Sequence, residues 1–160
     1  MAGSGNTGLG YNLKIHSLNI NGLKSKQIKT IDFINMHKID ILLIQETHSL
    51  DLREVTHFFY EKGFIIHANK VENQYNNYDG TAVVYSKRLQ STYKVENWIL
   101  QENRLQKVTL VNISNNENLV LYNAYFKSGS GSYAKRLRCK TIDILEKDFS
   151  RNKYSKFFIL

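Results

Sequence analysis

The chain has 160 residues and 18.6 kDa, the size of one ordinary domain, and its 42% hydrophobic and 12% aromatic residues exclude disorder throughout. With 22 Lys and Arg against 14 Asp and Glu, the net charge is +8, which favours nucleic acid over a membrane as partner, although an ordinary basic protein has such a charge too. One cysteine, Cys139, excludes an internal disulfide, and no apolar run is long enough to span a membrane.

The chain begins with a segment that is poor in structure signals. Residues 1–10 contain four glycines and no charge, which predicts a mobile leader ahead of a single domain over 11–160. Apolar residues over 13–20 then predict a first strand, which runs into a turn rich in amides and glycine. Asn19 and Asn21 are therefore expected at the exit of this strand.

A helix and a second strand follow. Residues 24–38 are predicted to form a helix packed on a sheet, because apolar side chains recur along one face. These side chains are Ile28, Ile31, Phe33, Ile34 and Met36. The aliphatic run 41–44 predicts a strand that is covered on both faces and parallel to the first, since a helical crossover joins them. Glu46 and His48 stand where this strand ends.

The next elements are a helix and a strand. Ser49 or Asp51 can cap a second helix, and Gly63 is a stop signal. The apolar positions of this helix are Leu52, Val55, Phe58 and Phe59. Residues 64–67 predict another strand, and the asparagine-rich segment 69–78 predicts a surface loop.

The second half is predicted to be mostly β. A strand over 81–85 precedes three further strands, which form an antiparallel meander with a hairpin loop at 114–118. These three strands cover 93–100, 105–113 and 119–125. A loop over 127–132 leads to a third helix with apolar positions at Leu137, Ile142, Leu145 and Phe149, and 156–160 predicts a buried strand.

Polar groups stand at the exits of three apolar strands. They are Asn19 with Asn21, Glu46 with His48, and Tyr125. If these strands are neighbours, one glutamate among amides makes half of a magnesium site, since magnesium prefers carboxylate oxygen, keeps waters and completes its shell with a substrate phosphate. On its own, Glu46 is more simply interpreted as a surface acid at the end of a strand.

Four segments resemble a known family in order and spacing. They are Ser17-Leu18-Asn19-Ile20-Asn21-Gly22-Leu23, Ile44-Gln45-Glu46-Thr47-His48, Gly80-Thr81-Ala82-Val83 and Leu121-Tyr122-Asn123-Ala124-Tyr125. They resemble the motifs of the endonuclease/exonuclease/phosphatase superfamily, most closely the apurinic-endonuclease-like domain of LINE (non-LTR) retrotransposons. The resemblance implies an α/β fold, a four-layered sandwich of mixed and antiparallel sheets with flanking helices.

The resemblance also implies an activity. Such a domain nicks duplex DNA with Mg²⁺, or with Mn²⁺ in its place, and leaves a 3′-hydroxyl that primes reverse transcription. Carried over by position, Asn19 would orient the phosphate, Glu46 would bind the metal and Tyr125 would contact the scissile phosphate. Further contacts to DNA are expected from Asn21, His48, Lys127, Arg136 and Arg138, although basic residues on a helix are more often simply solvated.

Two departures from the family pattern stand out. The family has proline where this chain has Lys127, and a Gly-Asp-Phe-Asn motif that carries the water-activating acid follows the strand that matches 156–160. The chain is therefore expected to be the N-terminal two thirds of the domain, with part of the fold incomplete. As an isolated chain it is expected to be inactive, because general base catalysis contributes roughly a hundred- to ten-thousandfold.

Two other functions stay open at this point. The chain can be a repurposed, non-catalytic module that binds DNA or RNA, or a structural subunit whose incomplete fold a protein partner covers. A phosphatase of lipid or sugar phosphates would share the glutamate, but the first motif and the basic charge favour DNA. An intracellular location is expected from the single cysteine and the lack of a signal peptide, and for a retroelement nuclease that location is the nucleus.

Overall fold

The computed structural model describes residues 12–48, 51–70, 79–151 and 156–159. The predicted leader, the cap at Ser49 and most of the predicted loop over 69–78 lie outside these residues. The strands are β1 (Ile15–Asn19), β2 (Ile41–Gln45), β3 (Phe64–Asn69), β4 (Thr81–Ser86), β5 (Tyr93–Gln101), β6 (Leu105–Asn112), β7 (Asn118–Ala124) and β8 (Lys156–Ile159). The helices are α1 (Gln27–His37), α2 (Leu52–Glu61) and α3 (Ser132–Arg151), with short 3-10 turns at Lys24–Lys26 and Lys87–Ser91.

The strands form two four-stranded sheets. Sheet A has the order β1-β2-β4-β3, and sheet B has the order β5-β6-β7-β8. β1 runs parallel to β2, with Asn19 opposite Gln45, which confirms the predicted crossover. In sheet B the meander β5-β6-β7 is antiparallel as predicted, and β8 joins β7 in parallel.

Three apolar clusters divide the described residues into four layers. Helices α1 and α2 pack on the outer face of sheet A, the two sheets pack face to face, and α3 packs on the outer face of sheet B. Strand β2 shows why its apolar run has no polar alternation: Leu42 and Ile44 face the helices, whereas Ile41 and Leu43 face sheet B. The predicted four-layered α/β sandwich is confirmed.

Local signals set the ends of the helices. The carboxylate of Asp51 accepts the backbone N–H groups of Arg53 and Glu54 at 3.0 and 3.1 Å and so caps α2. Beyond α2, Gly63 takes a positive φ of 87°, as expected of a glycine that stops a helix. Among the helices in the described part of the chain, none is both long and apolar enough to cross a membrane.

Several predicted core positions are wrong. Ile28 and Met36 on α1 are 69% and 75% exposed, and Leu52, Ile142 and Phe149 are also exposed. On α1 the reason is helical geometry: with 3.6 residues per turn, the buried face passes through Ile31 and Ile34 together with polar neighbours, and it leaves the other two side chains outside. Asn69, predicted in a surface loop, instead ends β3 and is fully buried.

Candidate active site

Backbone hydrogen bonds continue past the strand ends and join the two sheets along one edge, which we call the seam. Its segments are 20–23 after β1, 46–48 after β2, 79–80 before β4, 103–104 between β5 and β6, and Tyr125 after β7. The N–H of Gly22 donates to the carbonyl of Glu46 at 2.8 Å, and the N–H of His48 donates to the backbone carbonyl of Asp79 at 3.1 Å. The N–H of Gly80 donates to the backbone carbonyl of Asn103 at 3.1 Å and so joins sheet A to sheet B. The N–H of Tyr125 donates to the backbone carbonyl of Arg104 at 2.8 Å. The three predicted strand exits therefore converge.

The phenol of Tyr125 and the carboxylate of Glu46 meet at this edge. Tyr125 is buried and Glu46 is half-buried, and the negative charge of Glu46 acts on the phenol. Burial raises the pKa of Tyr125 to about 12, helped by the negative charges of Glu46 and Asp79 and opposed by Arg104. The phenol is therefore neutral at physiological pH and remains a hydrogen-bond donor.

A buried ion pair stands behind Tyr125. Arg104 and Asp79 are 4% and 2% exposed, and their Nη2 and Oδ2 atoms are 2.5 Å apart. The guanidinium carbon of Arg104 lies 5.6 Å from the centre of the Tyr125 ring. Lys127 approaches the other carboxylate oxygen of Asp79 at 3.4 Å and is partly exposed. The site thus holds two carboxylates and at least two cations around one phenol.

The loops that carry the site residues have unusual backbone conformations. Asn21, Glu46 and His48 have positive φ values of 48°, 56° and 60°. Asparagine tolerates this region, but for glutamate it costs about 1–2 kcal/mol. The turn at Glu46 directs the chain out of β2. A glycine at this position would adopt the same φ without strain, so the chain accepts the backbone strain and keeps the glutamate side chain.

Glycine is required at one point of the seam. Gly80 has a φ of 116°, and a Cβ atom there would lie 2.2 Å from the Oγ1 atom of Thr47. The Thr47 side chain is fully buried, so it has little room to move. Gly80 therefore permits the close approach of the segments that carry Glu46 and Asp79.

The remaining predicted residues lie at different distances from this centre. The Oδ1 atom of Asn19 accepts the N–H of Asn21 at 3.3 Å, which shapes the turn after β1. Arg138 donates to the carbonyls of Lys127 and Gly129 at 2.7 and 2.8 Å, so it holds the loop before α3. Arg136 is exposed on α3. Their contacts with DNA stay predictions.

Three functional candidates were missed from sequence. The sequence predicts no role for Asp79 or Arg104, and Asn123 occurs only within the fourth motif. All three are buried polar residues whose partners are more than 20 positions away in the chain. The strongest available signal is the position of Arg104 directly before a predicted strand.

The donor set bears on metal binding. Within the described ranges, no group of three or more His, Cys, Asp and Glu side chains is arranged to hold a metal ion. Glu46 offers one half-buried carboxylate, and the nearby Asp79 is committed to Arg104. This set does not fit a closed structural metal site. It fits an ion such as magnesium, which binds through one or two carboxylates and takes its other ligands from water and phosphate.

Solved structures share this arrangement of layers. Over 92% of the chain, the AP endonuclease of Leishmania major aligns with a TM-score of 0.72 at 17% identity. An endonuclease/exonuclease/phosphatase family protein from Bacteroides thetaiotaomicron aligns over 92% with a TM-score of 0.58 at 11% identity. The chain has the endonuclease/exonuclease/phosphatase fold. The fold class expected from the sequence motifs is confirmed.

The same fold occurs in a retrotransposon protein. The endonuclease domain of TRAS1, a telomere-specific non-LTR retrotransposon, aligns over 92% of this chain with a TM-score of 0.63 at 12% identity. The chain covers 54%, 58% and 62% of the Leishmania, TRAS1 and Bacteroides structures, so it spans little more than half of their length. Neither the models of protein families nor the curated proteins give a match.

Proposed function

We propose that the chain is the N-terminal part of a DNA endonuclease of the retroelement type, which nicks one strand of duplex DNA to prime reverse transcription. The observation that carries the proposal is the convergence of the segments that hold Glu46, Asp79 and Tyr125 at one edge of an endonuclease/exonuclease/phosphatase fold. The net charge of +8 supports a polyanionic substrate. Its proposed site of action is the nucleus.

In this proposal Glu46 holds a divalent cation, Mg²⁺ or Mn²⁺. When bound, the cation supplies positive charge that polarises a phosphoryl oxygen and offsets the charge that develops during hydrolysis. Glu46 is suited to hold it because its carboxylate is half-buried at the mouth of the site.

The protein groups around Glu46 position the scissile phosphate. The neutral phenol of Tyr125 donates a hydrogen bond to a phosphoryl oxygen, and the exposed amide of Asn19 orients the same group. Lys127 is bound loosely at 3.4 Å from Asp79 and can turn to a neighbouring phosphate. Asn21, His48, Arg136 and Arg138 are proposed to contact the DNA around this point.

The group that activates the attacking water is proposed to come from outside the described residues. Both carboxylates near Tyr125 already have other roles in this proposal, because Glu46 would hold the cation and Asp79 is paired with Arg104. The 160-residue chain alone is therefore expected to nick DNA at a rate lower by at least about a hundredfold than a protein that supplies this group.

A plasmid-nicking assay tests the proposal. The natural protein, of which this chain is all or part, should convert supercoiled plasmid to the open circle with Mg²⁺ and stop when the metal is chelated. Glu46→Gln should lower the rate by about a hundredfold or more. Glu54→Gln is the matched control, because Glu54 is an exposed glutamate on α2 that pairs with Lys24 at 3.4 Å.

The outcomes separate the competing functions. Metal-independent nicking, or nicking that Glu46→Gln leaves unchanged, would refute the nuclease proposal. Salt-dependent binding of DNA or RNA without nicking would favour a non-catalytic module, which the net charge of +8 supports as the second candidate. Phosphate release from lipid or sugar phosphates that competes with plasmid nicking would identify a phosphatase.

A further inference from the structure

A buried amide network crosses from sheet B to sheet A next to the candidate site. Asn123 on β7 is fully buried. Its Oδ1 atom accepts from the Nε2 atom of Gln45 at 2.7 Å, and its Nδ2 group donates to the carbonyls of Ile44 and Ala82 at 3.1 and 2.9 Å. Gln45 in turn donates to the hydroxyl of Ser17 at 3.0 Å. One side chain of sheet B is thus bonded to two neighbouring strands of sheet A, and through Gln45 to a third.

The network adjoins both groups of the site. Gln45 directly precedes Glu46, and Asn123 precedes Tyr125 by two residues. Side chains two apart on a strand point to the same face, and the backbone bond from Tyr125 to Arg104 extends the pairing of β7 by one residue, so Asn123 and Tyr125 both project towards sheet A. Any shift of β7 relative to β2 would therefore move Tyr125 relative to Glu46.

Stability alone does not call for an amide at this position. The residues that precede the two amides on the same faces are leucines, Leu121 and Leu43, which pack in the core between the sheets. Leucines at both 123 and 45 would continue that packing, and replacing both members of a buried polar pair by apolar groups is often neutral or stabilising. Apolar packing is non-directional, however, and it sets the offset between two sheets less sharply than three hydrogen bonds.

We propose that Asn123 is a positioning residue whose amide fixes the offset between the two sheets and thereby sets the position of Tyr125 relative to Glu46. Asn123 itself does not touch the substrate in this proposal. Its effect on catalysis rests on the proposed nuclease function, whereas its effect on the geometry of Tyr125 does not.

The test follows Tyr125 directly in the full natural protein. Fluorotyrosine placed at position 125 reports the surroundings of the ring by fluorine NMR at neutral pH, first without metal and then with Mn²⁺ alone as a paramagnetic probe. The variants are Asn123→Leu, and Asn123→Ser as a milder change should the first fail to fold. Tyr122→Phe is the matched control. Tyr122 is next to Asn123 but lies on the opposite face of β7, which packs against α3, and the substitution removes its partly buried hydrogen bond of 2.6 Å to Asp148.

The expected result is a change confined to the Asn123 variants. Without metal, the single resonance of the parent should shift or split in Asn123→Leu and stay unchanged in Tyr122→Phe. With Mn²⁺, the broadening of this resonance should weaken in Asn123→Leu. The kcat of plasmid nicking should fall by about a hundredfold, the loss expected for a displacement near 1 Å, with KM nearly constant.

Distinct results would overturn the two proposals. A folded Asn123→Leu or Asn123→Ser protein with the parent resonance of Tyr125 refutes the positioning role. A parent that shows neither Mn²⁺ broadening nor nicking, while its metal-free resonance still responds to Asn123→Leu, refutes the nuclease function and leaves the positioning role intact.

Discussion

Replacing Asp79 by Asn should destabilise the fold more than replacing its ion-pair partner Arg104 by Met. Asp79 and Arg104 have side chains that are 2% and 5% exposed, so either charge left alone is a buried charge. The two losses differ because Asp79 has a second cation nearby: the Nζ atom of Lys127 lies 3.4 Å from its Oδ1 atom. Arg104, by contrast, has its Nη1 group buried without a hydrogen-bond partner among the described residues.

The magnitudes follow from these contacts. Breaking a buried ion pair by removing one partner typically costs about 3–5 kcal/mol, and Asp79→Asn should fall at the lower end because the amide oxygen can still accept a hydrogen bond from Arg104. For Arg104→Met the loss should be smaller by roughly 1 kcal/mol, which is the contribution of a partly exposed pair such as the one that Lys127 retains with Asp79. The double variant Asp79→Leu with Arg104→Met should recover most of the loss.

Urea unfolding followed by tyrosine and tryptophan fluorescence measures these free energies. Glu54→Gln is the control, since it removes a pair with Lys24 whose side chains are 58% and 60% exposed, and it should change the free energy of unfolding by less than about 1 kcal/mol. Equal losses for the two single variants, or a larger loss for Arg104→Met, would refute the asymmetry and the role given to Lys127.

Three further predictions follow from the geometry of single residues. In the metal-free protein, Tyr125 should titrate near its pKa of about 12, and Glu46→Gln should lower that pKa; ultraviolet absorbance of tyrosinate measures the titration. Because the folded pKa lies above the unfolded value of 10, folding stability should fall as pH rises from 10 towards 12. Burial lowers the pKa of His67 below 6.5, so the stability linked to its neutral form is present above pH 6.5 and is lost as pH falls through the folded pKa. The urea midpoint should therefore depend less on pH in His67→Phe than in the parent, and an unchanged dependence would contradict this prediction. Gly80→Ala should destabilise the protein by more than about 2 kcal/mol in thermal or urea unfolding, because strain and a clash combine, whereas Gly63→Ala, at a φ of 87° with no atom within 4 Å of the added Cβ, should cost only about 1 kcal/mol.

The features that could be predicted from sequence are those with local causes. The run 41–44 indicated a strand covered on both faces because it lacks polar alternation, and both faces are indeed packed. Asp51 and Gly63 marked the ends of α2 because capping and positive φ depend on neighbouring residues. The parallel pairing of the first two strands followed from the length of the crossover between them.

The features that could not be predicted depend on contacts between distant residues. Nothing in the dipeptide Asp79-Gly80 indicates that its carboxylate is buried against Arg104, 25 positions further on. In the same way, the amide of Asn123 meets Gln45 across 78 residues of sequence, so its role appears only when the two sheets face each other. The convergence of Glu46 and Tyr125 was predicted on the condition that their strands are neighbours, and it arises across the two sheets instead.

The seam also bears on the order in which the molecule folds. Its hydrogen bonds join segments near residues 22, 47, 80, 104 and 125, so none of them can form until long stretches of chain have closed into loops. Local elements such as α2 can form early, whereas the seam depends on both sheets being complete. The backbone amide of Gly80, whose bond to the carbonyl of Asn103 runs between the two sheets, should therefore exchange with solvent in the opening event that separates the sheets. A ligand that bridges Glu46 and Tyr125 would slow that opening, and it would act as a clamp on the whole sandwich.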